Sequence, residues 1–347
     1  MTAAPTGPGA PRRHAGKPST ARWVLRLHRP ALYGWAGLVL ALTASLLALR
    51  GPLADAAAEG WRQYDACAGT ASCSYDQDAI LRYKEVYDYA TLALNALPFL
   101  VAAWAGAALV GRELESGTAR LAWTQSTSPA RWLTVRLVVP ALVIAAGTGL
   151  LCLLHRLAWT AGRGRIDTAK DWYDRFTFHA GGPTLLALAL AGLAAGTLAG
   201  LLLRRTLPAL VVATVVTGAL RGAAELALPR LWPVVTSVSP MNQGAGGSGL
   251  HVDEGMVTRS GARVPVPDCG TDCRAVYADF VGHWDSYHPY SHFWPLQLTT
   301  SALILAVAGL LALGSFLALR RLTGTLRTAA AAATGAPSAP APAGAAV

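Results

Sequence analysis

Apolar residues along this chain are collected into six long blocks rather than spread at the spacing of an amphipathic helix. A helix needs about 20 mostly apolar residues to cross a bilayer, and each block is close to that length. The blocks are residues 31–49, 89–110, 137–155, 183–203, 206–228 and 296–319. The pattern predicts an all-α membrane protein with a six-span transmembrane domain over residues 31–320.

The two ends of the chain differ from the apolar blocks. Residues 1–19 and 321–347 are rich in Ala, Pro and Gly and are expected to be disordered tails. Residues 20–30 place three arginines on one helical face, which indicates an interfacial amphipathic helix or simply a positively charged flank. The first block is longer than the apolar core of a signal peptide, and the basic segment before it is longer than in a signal peptide. We therefore expect a transmembrane span that is not removed by cleavage.

Charge is distributed unequally between the segments that alternate along the chain. With the amino terminus inside, residues 1–30, 111–136, 204–205 and 320–347 hold 15 Lys and Arg but only two acids. The outside segments, residues 50–88, 156–182 and 229–295, hold 13 basic and 16 acidic residues. Lys and Arg are retained on the cytoplasmic side. We therefore predict a multi-pass plasma-membrane protein with both termini cytoplasmic, and no nucleic-acid partner.

Four of the five cysteines lie in close pairs in the predicted outside loops. Cys67 and Cys73 fall in the first of these loops, and Cys269 and Cys273 fall in the last. Disulfides persist on that side of a membrane, so two local disulfides are predicted, with free thiols as the alternative. No His spacing nearby completes a zinc site, and no metal site is expected.

Two further patterns lie within the predicted spans. Gly192, Gly196 and Gly200 form a small-residue face that lets two helix backbones approach closely, within one chain or between two. Arg221 and Glu225 share one face of the fifth block. They lie either inside the membrane or at its outer interface, where the fifth span would break near residues 218–222.

The segment between the second and third blocks concentrates the candidate functional residues. Glu113 and Glu115 are the only acids on the predicted cytoplasmic side, so each is expected to have a specific partner, an internal Arg or another protein. Gly117 is expected to interrupt the helix, and residues 118–123 to form a second short one. Ser128 followed by Pro129 is typical of a helix start, with serine as the N-cap.

This segment resembles the permease subunits of type-2 ABC exporters, especially actinobacterial ones, through residues 111–118, 120–126 and 131–132. The resemblance implies a cytoplasmic coupling helix, within residues 111–136, that contacts a separate ATPase. The residues at or near this contact would be Glu113, Glu115, Gly117, Thr118, Arg120, Trp123 and Gln125. It also implies two ATPase copies, and a homodimer or heterodimer of permease chains. The large extracytoplasmic loop, residues 229–295, departs from the family, so the transported substrate is left open.

None of the three lysines lies in a phosphate-binding G-x-x-x-x-G-K-[ST] pattern. No catalytic constellation is recognisable either, so the chain is predicted to be a transport subunit, with ATP and Mg²⁺ on its partner. A secondary transporter or channel would need ionisable residues inside the membrane, for which Arg221 and Glu225 are the candidates. A membrane scaffold or sensor that transports nothing, or a membrane-embedded enzyme, would also be compatible with six apolar blocks.

Overall fold

A computed structural model of the protein describes residues 26, 28–67, 72–125, 128–167, 169–243, 248–268, 270 and 273–334. Among these residues, six helical segments are long and apolar enough to cross a membrane, which confirms the predicted number of spans. They are Arg29–Ala66, Gln77–Glu115, Pro129–Gly162, Pro183–Leu203, Thr206–Arg230 and Tyr290–Gly324.

The helices of the first three spans start at recognisable signals. Helix α1 covers Arg29–Arg50 with Pro30 in its first turn, and α2 covers Pro52–Ala66. Helix α3, Gln77–Trp104, is capped by Asp76, whose carboxylate accepts a hydrogen bond from the Ala79 N–H. A π-helical stretch, Ala105–Gly111, extends α3, and the short helices α4 and α5 follow at Arg112–Glu115 and Thr118–Gln125. Ser128 caps α6, Pro129–Gly162, as the sequence predicts.

The remaining helices complete the membrane body. They are α7 at Arg175–Ala180, α8 at Pro183–Leu203, α9 at Thr206–Ala227, α10 at Cys273–Tyr277 and α11 at Phe293–Thr334. Helix α8 lies at the centre and packs against α3, α6, α9 and α11. Its Ala- and Gly-rich surface is buried almost all round, which is typical of a helix without a lipid-facing side.

The expectation of a purely α-helical protein is wrong, because the segment between α9 and α11 contains a sheet. Strands β1 (Val235–Pro240), β2 (Leu250–Thr258), β3 (Arg263–Pro265) and β4 (Phe280–His288) pair in the antiparallel order β1-β4-β2-β3. The strands contain many Ser, Thr, His and Asp residues and no apolar run of bilayer length, so the apolar blocks did not predict them. Cross-strand pairing rather than apolar burial organises this segment.

Two predicted boundaries differ from the structure. Helix α1 begins at Arg29, with Pro30 in its first turn, whereas the first span was predicted to begin at residue 31. The interfacial helix predicted over residues 20–30 and the tail over residues 1–19 fall almost entirely outside the described residues. Helix α11 continues to Thr334, well into residues 321–347, which were expected to be disordered.

The fifth span is not broken at the glycines. Helix α9 runs without interruption through Gly218 and Gly222 to Ala227, and a 3₁₀ turn, Leu228–Arg230, ends it. Neither glycine has a positive φ, and Arg221 and Glu225 lie one helical turn apart with a hydrogen bond between them. A side-chain bridge at this spacing stabilises the helix where the glycines weaken it.

One of the two predicted disulfides is present. Cys67 and Cys73 are bonded, and they tie the end of α2 to the segment that leads into α3. Cys269 lies outside the described residues, so its pairing with Cys273 stays a prediction. Cys152 is a buried free thiol in α6.

Removal of the Cys67–Cys73 bond by the double substitution C67S/C73S is expected to lower the free energy of unfolding by about 2 kcal/mol. A short loop constrains the unfolded chain only modestly, which keeps the effect at the lower end for disulfides. The measurement is thermal unfolding in detergent with and without dithiothreitol, and the reductant should shift the wild type more than the variant. Alkylation of both cysteines in unreduced, denatured wild type would contradict the bond.

Candidate functional site

The chain between the second and third spans forms a compact helix–turn–helix, residues 112–125, which we call the connecting segment. It consists of α4, a turn at Gly117 and α5. Gly117 has a φ of +74°, in the left-handed region that favours glycine. The Ser116 and Thr118 hydroxyls donate to the Glu113 carbonyl at 3.4 and 3.3 Å. The helix is therefore interrupted at Gly117 as predicted, by a turn that places this residue in the left-handed region.

Glu113 is tied to the interior of the protein. Its carboxylate forms an ion pair with Arg136 of α6, and the side chains of the two residues are 13% and 1% exposed. Arg136 also donates a hydrogen bond to the Leu109 carbonyl of the π-helical stretch at 3.1 Å. Its guanidinium lies 4.6 Å from the centre of the Trp132 ring. The internal Arg partner that the sequence left as one alternative is Arg136.

Glu115 is tied to the fifth span. Its carboxylate accepts hydrogen bonds from the Thr206 backbone N–H, at 2.9 Å, and from the Thr206 hydroxyl. Thr206 is the first residue of α9, so the carboxylate lies at the positive end of the helix dipole. The connecting segment is thereby fixed to α6 through one glutamate and to α9 through the other.

Aromatic packing holds α5 against α6. The rings of Trp123 and Trp132 meet edge to face with centroids 5.5 Å apart, and Ala119 of α5 is fully buried. Trp123 and Leu114 pack against the cluster that contains Trp132 and Leu133. Trp123, a predicted partner-binding residue, therefore supports the segment from within.

A different group of residues faces outward from the connecting segment. Arg112, Thr118 and Arg120 are exposed, and Leu121 is 61% exposed. Of the six predicted contact residues whose side chains the structure describes, Glu115, Thr118 and Arg120 are exposed, and Glu115 is already engaged by Thr206. Gln125 lies in α5, and its side chain is outside the described part. Leu121 and Arg136 were not predicted, although each belongs to the 111–136 loop.

The glycine face of α8 packs within the same chain. A Cβ on Gly192 would lie 2.6 Å from the Pro98 carbonyl oxygen, and one on Gly196 would lie 2.6 Å from the Ala102 oxygen and the Gly106 nitrogen. Gly200 faces Val110 almost as closely. The backbones of α8 and of the second span thus touch directly where the π-helical stretch begins.

A polar cluster lies at the opposite end of the second and fifth spans. Arg221 is buried, and it donates to the Asn95 Oδ1 at 2.6 Å and to the Glu225 carboxylate at 3.0 Å. His179 of α7 lies 3.5 Å from the same carboxylate. Burial lowers the pKa of His179, which keeps the imidazole neutral at pH 7, although the contact with Glu225 opposes this. The cluster joins α3, α7 and α9.

Comparison with known proteins gives one positive finding. No curated protein and no solved structure matches the chain significantly. The family model described as "ABC-2 membrane transporter related" matches residues 36–228, which run from within the first span to near the end of the fifth and include the connecting segment. The matched residues make up more than half of the sequence, and the chain therefore belongs to the ABC-2 membrane transporter related family.

Proposed function

We propose that this chain is the membrane-spanning permease subunit of an ABC exporter, and that ATP hydrolysis, with its Mg²⁺, takes place in a separate ATPase subunit. The observation that carries the proposal is the anchored connecting segment, which presents Arg120 and the exposed Leu121 from a fixed helix–turn–helix. An exposed leucine beside an arginine suits insertion into a cleft of a partner protein, because the leucine would be removed from water there and the arginine can pair with a carboxylate. The exporter direction rests on the resemblance of residues 111–126 to exporter permeases.

The two anchored glutamates connect the segment to the membrane-spanning helices. When the ATPase displaces α5, the movement is transmitted to α9 through Glu115 and to α6 through the ion pair of Glu113 and Arg136. Glu113 and Glu115 therefore transmit force, and Thr118, Arg120 and Leu121 make the contact. The connecting segment then lies on the cytoplasmic side, with both chain termini.

In this arrangement two ATPase copies act on two permease chains, which are a homodimer or a heterodimer. Closure of the ATPases around ATP would drive both connecting segments together and change the access of a path between the permease chains. The six spans supply the bilayer-facing scaffold for this movement.

The double substitution R120E/L121D is expected to abolish stimulation of ATP hydrolysis and to reduce co-purification of the ATPase by at least about tenfold. Loss of a buried apolar anchor together with a reversed charge at the centre of an interface has effects of this size. The assay is affinity purification of the tagged chain from its native membrane, followed by measurement of phosphate release.

The matched control is L81D/R82E, which changes an adjacent leucine and arginine, both exposed, near the start of α3. This control should retain the ATPase and its stimulation. If wild-type protein co-purifies with no ATPase, or if R120E/L121D behaves like the control, the permease proposal or its contact surface is wrong.

A further inference from the structure

A large cavity lies at the end of α6 that is remote from the connecting segment. It has a volume of about 1150 Å³ and is bounded by α2, the end of α6, the loop after α6 and residues next to the sheet. Helix α6 has 34 residues, so at 1.5 Å per residue the cavity is about 50 Å from the start of that helix. Its far wall includes Ser248, Tyr287 and Tyr290, all beyond the residues that match the family.

Aromatic rings form a rigid part of the cavity wall. Trp159, Trp172 and Tyr290 all line it, and the Tyr290 ring lies 5.7 Å from Trp159 and 6.1 Å from Trp172 between centroids. The Trp159 Nε1–H donates to the Lys170 carbonyl at 2.8 Å, which fixes the loop that closes the cavity. We call this space the aromatic cavity.

Most of the basic side chains that line the aromatic cavity are neutralised by carboxylates outside it. Arg165 pairs with Asp55 at 2.8 Å and Lys170 lies 3.7 Å from Asp88, and Arg62 pairs with Glu59. None of these three carboxylates belongs to the cavity lining. The basic residues therefore leave little net positive charge inside.

The acidic residues of the lining are not neutralised in the same way. Asp65, Asp167 and Asp171 line the aromatic cavity, and among the described residues none of the three forms an ion pair. Three carboxylates without a basic partner in a cavity with aromatic rings favour a cation, since the face of each ring is negative.

Arg163 shows that the aromatic wall already holds a positive group. Its guanidinium lies 3.9 Å from the centre of the Tyr290 ring and 5.1 Å from that of Trp159. No carboxylate of the described residues lies within ion-pair distance of it. Because the side chain is exposed, a ligand can displace it from the rings at small cost.

We propose that the aromatic cavity binds an organic cation with an apolar body. The cationic group lies over Tyr290 and Trp159 in place of Arg163, and it is balanced by Asp167 and Asp65. The volume matches a drug-sized molecule, and the apolar body fills the space beside Trp172. The aromatic cavity and the connecting segment are at opposite ends of the molecule, so this site is independent of the ATPase contact.

The test is a fluorescence-anisotropy titration of the purified full chain in phosphatidylcholine nanodiscs, with empty nanodiscs as the blank. The probes are rhodamine 6G, a cationic xanthene dye, and fluorescein, an anionic dye with the same ring system. Rhodamine 6G should bind and fluorescein should not. The variant D65N/D167N should weaken binding of the cation by about fivefold or more.

The substitution R163Q should act in the opposite direction and tighten rhodamine 6G binding, because it removes a competing cation from the rings. D268N, an exposed neutralisation outside the aromatic cavity, is the control and should leave binding unchanged. Either of two results overturns the proposal. One is fluorescein binding that is lost in R163Q, and the other is rhodamine 6G binding that none of the variants changes. The assay contains no ATPase, so its failure is distinct from a failure of the permease role.

Discussion

Replacement of Gly196 by leucine is expected to destabilise the membrane body strongly. A Cβ at this position would lie 2.6 Å from the Ala102 oxygen and the Gly106 nitrogen, and these are backbone atoms that cannot rotate away. The two helices would have to separate along their length, at a cost of about 3 kcal/mol or more. Alanine at the same position should cost less, since it adds only one methyl group.

Thermal unfolding in detergent, followed by size-exclusion chromatography of the heated sample, measures the effect. Gly309→Leu in α11 is the matched control, because a Cβ on Gly309 meets nothing within 4 Å. The control should unfold like the wild type. Equal melting temperatures for Gly196→Leu and the control would rule out the close contact between α8 and the second span.

Glu113→Gln is expected to have an effect of similar size, because it leaves the buried guanidinium of Arg136 without its carboxylate. Removal of one partner of a buried ion pair typically costs about 3–5 kcal/mol. The substitution should destabilise the connecting segment itself as well as the whole protein, since the ion pair holds the connecting segment against α6. Limited proteolysis with trypsin should therefore cleave after Arg120 faster in the variant, in parallel with a lower melting temperature.

A double-mutant cycle separates the ion pair from other contacts. E113Q combined with R136M should be less destabilising than the sum of the two single substitutions, because no unpaired charge is left. The exposed pair of Glu59 and Arg62, whose side chains are 51% and 74% exposed, provides the matched control. Glu59→Gln should change stability little. Strict additivity of E113Q and R136M would contradict the coupling between these residues.

The membrane body was predictable because its signals are local. An apolar run of bilayer length predicts a span whatever its neighbours are, and all six predicted blocks lie within the six spans. The start of α6 was equally predictable, since Ser128 and Pro129 carry the capping signal in two adjacent residues. The turn at Gly117 was also predictable from a local signal in the sequence.

The contacts that shape the candidate site could be predicted only in part. The isolation of Glu113 and Glu115 indicated specific partners, but the choice of Arg136 and Thr206 depends on how three helices pack. The π-helical stretch, Ala105–Gly111, has no sequence signature that separates it from an α-helix. It is stabilised by close approach to α8 and α9, as when Gly106 meets the Ala209 backbone.

The sheet was missed for another reason. Its strands contain many polar residues, and β1 depends on a partner distant in sequence, as in the pairing of Val238 with Trp284. Long apolar blocks indicate burial in lipid, and most side chains of β1 are exposed.

The pairing of β1 with β4 brings the start and the finish of the sheet together, with Val235 opposite Tyr287. An insert whose two ends are neighbours can be exchanged, lengthened or lost without moving the helices that flank it. The family match stops at residue 228, just before this insert begins. The sheet can therefore change in length or sequence while the helices on either side of it keep their packing.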